Sequence, residues 1–161
     1  MIIVTAYHMD NDENKEIKYV LADEELVCPA CRGTALIGKG WRKRKLIKGN
    51  ETVLTMNIHR IRCKDCNKMH HVLPDIIVPY KRHDSGNIDK VTENILSESI
   101  YDESTINRIK AWWRKILLYL AAFELNKSEI EIPLKPTVKQ VVCILVNANL
   151  WPRTHTALDV G

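Results

Sequence analysis

The sequence predicts an α+β protein, with an antiparallel sheet in its first half and helices in its second. From Thr52 to Arg62 apolar and polar residues alternate, the pattern of a half-buried strand. Two Cys-x-x-Cys pairs enclose this region, and apolar residues at helical spacing begin after Pro79. The 161 residues suffice for one domain or two small ones, so we expect no large catalytic domain.

Residues 1–25 are expected to form a strand followed by an acidic arm. Residues 1–27 carry two basic and seven acidic side chains, and such an arm could compete with nucleic acid for a basic surface. The start of the chain lacks the basic segment and long apolar stretch of a signal peptide. No apolar run approaches the roughly 18 residues of a membrane span. We therefore expect a cytoplasmic protein with no membrane partner.

Four of the five cysteines form two pairs with metal-ligand spacing. Each pair can close a tight turn that directs both thiolates at one ion, and two such turns complete a tetrahedral set for zinc. The sequence therefore predicts a zinc ribbon over residues 26–80 with one structural Zn²⁺. The ligands would be Cys28, Cys31, Cys63 and Cys66. Redox dithiols or plain buried cysteines are the alternatives, and disulfides are not expected without a secretory signal.

Three histidines lie near these pairs, and each could replace a cysteine or donate a hydrogen bond to one. They are His59, His70 and His71. Because four thiolates already close the coordination shell, we expect them to have no metal role. The fifth cysteine, Cys143, lies in an apolar run and is expected to be a small buried hydrophobic residue.

The residues between the two pairs predict strands at 41–47 and 52–62, and a closing strand at 69–73. Residues 32–68 carry eleven Lys or Arg and two acidic side chains, as a phosphate-contacting surface requires. A solvated face kept for solubility is the alternative. Because strands alternate faces, we expect one subset to contact phosphates and the other to stay solvated. The candidates are Arg42, Lys43, Arg44, Lys45, Arg60 and Arg62, with Trp41 at the rim.

Two helices are predicted to follow the sheet. Ser85 or Asn87 could cap the first, and Asp102 or Ser104 could cap the second after a short break. Residues 88–122 are thus a candidate helix-turn-helix, whose second helix would enter the major groove of DNA. An ordinary helical hairpin gives the same pattern. The residues nearest DNA would be Thr105, Asn107, Arg108 and Arg114.

The helical region extends over residues 81–161 and contains a third predicted helix at 137–149. The apolar run in this segment would also suit a buried strand, but its length and the Thr137 cap favour a buried helix. Residues 150–161 show no pattern that indicates a role.

The cysteine pattern continues into a His-His-x-Leu-Pro and Val-Pro-Tyr-Lys-Arg motif. The combination resembles an uncharacterised bacterial domain family, found mainly in Gram-positive organisms. It also resembles the zinc-binding heads of insertion-sequence transposases, where a ribbon precedes a helix-turn-helix. The resemblance covers residues 26–83 and implies binding of mobile-element or regulatory DNA, without strand transfer because no acidic catalytic core follows. The matching positions are Cys28, Pro29, Cys31, Arg62, Cys63, Cys66, His70, His71, Leu73, Pro74, Pro79, Tyr80, Lys81 and Arg82.

The predicted function is that of a non-catalytic, zinc-dependent DNA-binding protein, such as a mobile-element, phage or regulatory factor. Duplex DNA is the expected partner, and RNA is the alternative nucleic acid. A second hypothesis is a zinc-stabilised adaptor that binds a protein partner or a second copy of the chain. A third is an HNH-like metal-dependent nuclease, but no second histidine at helical spacing completes its metal site. The residues that suggest the nuclease are Cys63, Cys66, His70, His71, Pro79, His83, Gly86 and Asn87.

Overall fold

The computed structural model describes residues 1–12, 15–48, 52–95, 101–124 and 133–152. Within these residues it has the predicted α+β class, with a six-stranded sheet and three helices. The strands are β1 (Ile2–Val4), β2 (Tyr7–Asp12), β3 (Lys15–Ala22), β4 (Leu36–Ile47), β5 (Val53–Cys63) and β6 (Met69–Pro74). The helices are α1 (Ser85–Thr92), α2 (Glu103–Glu124) and α3 (Val138–Asn147). None of the described helices has the length and apolar character to span a bilayer.

Strand β5 lies at the centre of the sheet and has neighbours along both edges. Along one edge β4 runs antiparallel to it, from Leu36 opposite Cys63 to Ile47 opposite Val53. Along the other edge, β6 pairs antiparallel with the C-terminal half of β5, and β3 pairs parallel with its N-terminal half. Strand β1 extends the sheet beyond β6, and β2 extends it beyond β3.

The N-terminal segment contributes three strands, where the sequence predicts one strand and an acidic arm. The acidic stretch at residues 10–16 falls within β2 and β3, except for residues 13 and 14, which lie outside the described residues. Strand β3 reaches the central strand, since Val20 pairs with Ile58. Pairing between segments so far apart in sequence leaves no local pattern, and hence the sequence does not reveal it.

A bulge in β4 decides which of its side chains share a face. The register shifts between Gly38 and Trp41, so that two residues of β4 lie opposite one residue of β5. Gly40 lies within the bulge and has a φ of 83°, which glycine adopts without steric cost. The extra residue reverses the alternation of β4. As a result, Arg42 lies opposite Ile58 on the face that carries the main core.

The main core lies between the helices and one face of the sheet, which we call the helix face. Val20, Met56 and Leu145 are fully buried members of this core, which therefore crosses the expected boundaries near residues 25 and 80. The opposite face, which we call the outer face, buries a smaller cluster near the cysteines. That cluster contains Ile2, Val4, Ile61 and Val72. Both faces of β5 are thus buried, at opposite ends of the strand.

Side-chain caps fix where α1 and α2 begin. Asp84 caps α1, since its carboxylate accepts a hydrogen bond from the backbone N–H of Asn87 at 2.7 Å. The predicted cap at Ser85 or Asn87 is therefore wrong, because the aspartate one residue earlier has the extended backbone of a cap. Asp102 caps α2, as one of the two predicted alternatives, by accepting from the backbone N–H of Thr105 at 2.8 Å.

Helix α3 corresponds to the predicted buried helix at 137–149. Thr137 and Gln140 form a capping box at its start, in which each side chain bonds to the backbone of the other residue. Parts of the regions considered above lie outside the described residues: 49–51 between two of the predicted strands, 96–100 in the break between α1 and α2, and 153–161 at the C-terminus.

Replacing Ile58 with Ala is expected to lower the free energy of unfolding by about 2–5 kcal/mol, because it opens a cavity in the main core. Ile58 is 2% exposed on the central strand. Val53→Ala is the matched control on the same strand; Val53 is 55% exposed, so we expect a change of at most about 0.5 kcal/mol. Urea denaturation followed by tryptophan fluorescence measures both, and equal losses would contradict this assignment of faces.

Candidate metal centre and arginine cluster

The four cysteines of the two pairs come together in space. Their sulfur atoms all lie within 4.8 Å of one another. The Sγ atoms of Cys28 and Cys66 are 3.6 Å apart, and those of Cys31 and Cys63 are also 3.6 Å apart. Four sulfurs bound at about 2.3 Å to one tetrahedral ion would be about 3.8 Å from each other. The cluster therefore has the dimensions of a metal site, and the four cysteines could bind a metal ion.

The two Cys-x-x-Cys turns have the same backbone construction. In each turn, the N–H of the first cysteine donates to the carbonyl five residues later. Cys28 donates to Gly33 at 2.9 Å, and the N–H of Cys63 donates in the same way at 3.0 Å. The residue after the second cysteine has a left-handed backbone in both turns, with φ 64° at Arg32 and at Asn67. Two equivalent turns thus present two thiols each to a shared centre.

Backbone hydrogen bonds lower the pKa values of the thiols of Cys28 and Cys31, whereas burial raises them. Burial disfavours the Cys28 thiolate, but the backbone N–H groups of Ala30 and Cys31 donate to its sulfur, and the net effect lowers its pKa to about 7. The N–H of Gly33 stabilises the Cys31 thiolate, yet burial and the three neighbouring thiols raise its pKa to about 12. Four sulfurs this close cannot all ionise without a compensating cation, and a metal ion supplies that charge.

The two adjacent histidines of β6 lie on opposite faces of the sheet. On the outer face, His70 Nε2 lies 3.3 Å from Cys28 Sγ. Burial lowers the pKa of His70 to about 4, with the N-terminal charge, Lys68 and His71 adding to the effect. The ring is therefore neutral at pH 7, and in the tautomer that is protonated at Nε2 it would donate to the sulfur, with Nδ1 left to accept from the N-terminal amino group 3.3 Å away. His71 lies on the helix face, opposite Arg60.

The six predicted basic strand residues lie on two different faces, and the bulge sets the faces of the four that are on β4. The helix face carries Arg42, Arg44, Arg60 and Arg62, and the outer face carries Lys43 and Lys45. The guanidinium of Arg62 donates to Asn67 beside the second cysteine turn. No acidic side chain of the described residues forms an ion pair with the other three arginines. We call Arg42, Arg44 and Arg60 the arginine cluster.

Basic side chains continue from this cluster toward helix α2. Burial and the neighbouring charge of Arg42 lower the pKa of Arg44. Burial and the charge of Arg108 lower the pKa of Lys81 in the same way. The ammonium of Lys81 lies 4.5 Å from the ring centre of Trp112, which anchors it to α2. Lys81 therefore links the turn after the sheet to the first half of α2.

The predicted DNA-contacting residues of α2 differ in the exposure and the hydrogen bonding of their side chains. Asn107, Arg108 and Arg114 are exposed. Thr105 is half-buried, and its hydroxyl donates to the capping carboxylate of Asp102 at 3.1 Å. Arg108 donates to the same hydroxyl at 3.0 Å. Thr105 thus serves the helix cap, whereas the other three side chains face solvent.

Three residues beside the arginine cluster are absent from the predicted nucleic-acid contacts: His71, Tyr80 and Lys81. The one sequence signal for them is the Val-Pro-Tyr-Lys-Arg motif that follows the histidine pair. Among the histidines that suggest a nuclease, His83 packs its ring against Tyr101 with 4.5 Å between ring centres. His70 and His71 serve the two different faces described above.

Comparison with known proteins identifies a domain family. The profile of a domain family described as a domain of unknown function, DUF6431, matches residues 28–109, which is half of the chain. The matched stretch begins at Cys28 and contains all four cysteines, the arginine cluster and Arg108. No curated protein and no solved structure matches the chain.

Proposed function

The chain belongs to the DUF6431 family, and we propose that it is a non-catalytic DNA-binding protein held in shape by one structural zinc ion. Four thiolates in a tetrahedral arrangement suit zinc and leave no open position for a reactive water. The two equivalent cysteine turns and the antiparallel strands β4, β5 and β6 support a zinc ribbon. Zinc would fix the base of these strands, and the strands would present the DNA-binding surface.

The uncompensated arginine cluster is the observation that carries this proposal. Arg42 and Arg44 lie two residues apart on one face of a strand, so their Cα atoms are about 7 Å apart. Like charges at this spacing repel each other, and here no acidic partner among the described residues relieves them. A polyanion would relieve the repulsion and release counterions as it binds. The surface is therefore suited to a phosphate backbone.

Helix α2 would add a second, smaller contact as part of a helix-turn-helix. Its exposed Asn107, Arg108 and Arg114 can reach a base edge or a phosphate. However, Asp102 and Glu103 at the start of the helix repel phosphates. We therefore assign most of the affinity to the arginine cluster, and to α2 one further phosphate contact through Arg108 together with any sequence preference. Resemblance to transposase heads supports a mobile-element or regulatory role in a bacterial cytoplasm.

Duplex DNA is expected to bind with a steep dependence on salt. Five basic side chains, the arginine cluster with Lys81 and Arg108, give a slope of log K against log salt of about −4.5. Affinity should then fall about 100- to 1,000-fold between 50 and 200 mM salt. Fluorescence anisotropy with random duplex and single-stranded pools, each with and without a zinc chelator, measures this. A flat response to salt would favour the protein adaptor, and metal-dependent cleavage of the DNA would favour the nuclease.

A further inference from the structure

A pocket opens on the helix face beside the arginine cluster. It has a volume of about 250 Å³ and lies between the sheet and the turn that follows β6. Arg42, Arg44, His71 and Tyr80 supply its polar lining, and Ile58 and Leu73 contribute to its apolar lining. Pockets for drug-sized ligands usually measure about 300–1,000 Å³. This one is therefore suited to a small anionic group with a short apolar neighbour.

Tyr80 occupies its place at the pocket through an unusual backbone conformation. Its φ is 63°, in the left-handed region that bulky residues rarely adopt. It follows Pro79 in a turn closed by a hydrogen bond from the Lys81 N–H to the Val78 carbonyl at 3.1 Å. Glycine is the usual residue at a turn position that requires positive φ. Tyr80 is 64% exposed, so burial does not explain why a tyrosine is there. Its side chain lines the pocket and is therefore available to contact a ligand there.

His71 adds a neutral donor to the two guanidinium groups. Burial lowers its pKa, and the charges of Arg42, the N-terminus, Arg60 and Arg44 lower it further. At neutral pH the ring is therefore uncharged, and it can donate a hydrogen bond without adding to the repulsion among the arginines. Two arginines and one histidine line the same small cavity, and their donors suit the oxygens of a phosphate whose ester group packs on the apolar part of the wall.

We propose that this pocket binds one nucleotide unit through its phosphate, with Tyr80 packing against the attached sugar or base. This inference rests on the proposed function, because DNA binding is what identifies the bound phosphate as part of a nucleotide. The phosphate can belong to the 5′ end of a strand, to an internal linkage or to a free mononucleotide, since all three share this chemistry. Aromatic side chains stack on any base, so the pocket itself would be tolerant of sequence.

The test uses the full chain with zinc and three probes: a 5′-phosphorylated single-stranded 12-mer, the same 12-mer with a 5′-hydroxyl, and AMP. Arg44→Gln is expected to weaken binding of the probe that fills the pocket by about tenfold, because it removes a charge-assisted contact. Lys45→Gln is the matched control on the outer face, with the same loss of charge one residue away. It should weaken binding less than about twofold, as expected for a solvated charge near the site.

Tyr80→Gly is a second variant that separates binding from folding. Glycine accepts a positive φ, so the melting temperature should stay the same or rise, while affinity for the same probe falls. NMR supplies a third readout, since a bound phosphate should raise the pKa of His71 in the wild type. A purely structural role for Tyr80 would produce the opposite pattern, a lower melting temperature with unchanged affinity.

The outcomes distinguish this inference from the proposed function. If Arg44→Gln and Lys45→Gln weaken every probe equally, the pocket assignment is wrong and DNA binding through a general positive field still stands. If the wild type binds AMP but neither oligonucleotide nor duplex, the pocket assignment stands and the proposed DNA binding is wrong. If Arg44→Gln loses affinity only for the 5′-phosphorylated 12-mer, the pocket binds a terminal phosphate. If it loses affinity equally for both 12-mers, the pocket binds an internal phosphate. Binding of none of the probes overturns the pocket assignment.

Discussion

Replacing Cys63 with Ser, or removing the metal with a chelator, is expected to unfold the protein. Structural zinc contributes about 10–16 kcal/mol in finger peptides, whereas a whole domain is stable by only about 5–15 kcal/mol. Cys63 lies at the end of the central strand, and its sulfur is 3.6 Å from that of Cys31. Without the ion, the four thiols, of which those of Cys28 and Cys63 are buried, would lose their shared ligand, and the second cysteine turn would no longer be held against the first. Circular dichroism should then show loss of the folded signal at 25 °C.

A control for this experiment is available within the chain. Cys143 is half-buried in α3, outside the cysteine cluster, so Cys143→Ala removes a thiol without touching the metal site. This variant should keep its metal and lose only about 1 kcal/mol of stability. Elemental analysis of each purified protein gives the metal content. A Cys63→Ser protein that melts at the wild-type temperature, or a wild type without bound metal, would contradict the proposed structural zinc.

Replacing Arg42 and Arg44 together with Gln is expected to cause the largest loss of DNA affinity among surface variants. The double variant removes two adjacent charges of the arginine cluster. The slope of log affinity against log salt should become shallower by about 1.8, the value for two phosphate contacts. At 100 mM salt we expect affinity to fall about 10- to 100-fold for every duplex sequence alike, because phosphate contacts carry no sequence information.

The matched control is Lys43→Gln with Lys45→Gln, which removes the same charge from the same strand but from its outer face. Both double variants change the net charge equally. Any difference in DNA affinity between them is therefore due to the face of the strand and not to the net charge. We expect the lysine variant to lose less than about threefold in affinity. Equal losses would mean that DNA does not distinguish the two faces, and the binding surface would then have to be placed elsewhere.

Much of the local structure could be predicted because it depends on neighbouring residues. The alternation from Thr52 to Arg62 corresponds to β5, and the apolar run after Thr137 corresponds to α3. The predicted cysteine cluster is present, since two tight turns with metal-ligand spacing need only strands of suitable length between them. The sequence does not determine the N-cap of α1, because Asp84 and Ser85 are both residue types that cap helices well and only the backbone geometry selects Asp84.

The sequence does not determine which face of the sheet each residue of the histidine pair occupies. His70 and His71 are adjacent on β6, so alternation must place them on opposite faces. Which face holds the cysteines and which the arginines depends on how β6 pairs with β5. His70 therefore lies beside Cys28 and His71 lines the pocket, although the two residues are of the same type and adjacent in sequence.

The sequence by itself determined the ligands of the candidate metal site, the main strands and helices, and the location of the positive charge between the two cysteine pairs. These follow from spacing, periodicity and composition, which are properties of short segments. Tertiary structure alone decided which basic residues share a face. One extra residue in the bulge at Gly40 moves Arg42 and Arg44 to the helix face and leaves the lysines outside. A strand has only two faces, so a shift of one residue exchanges them.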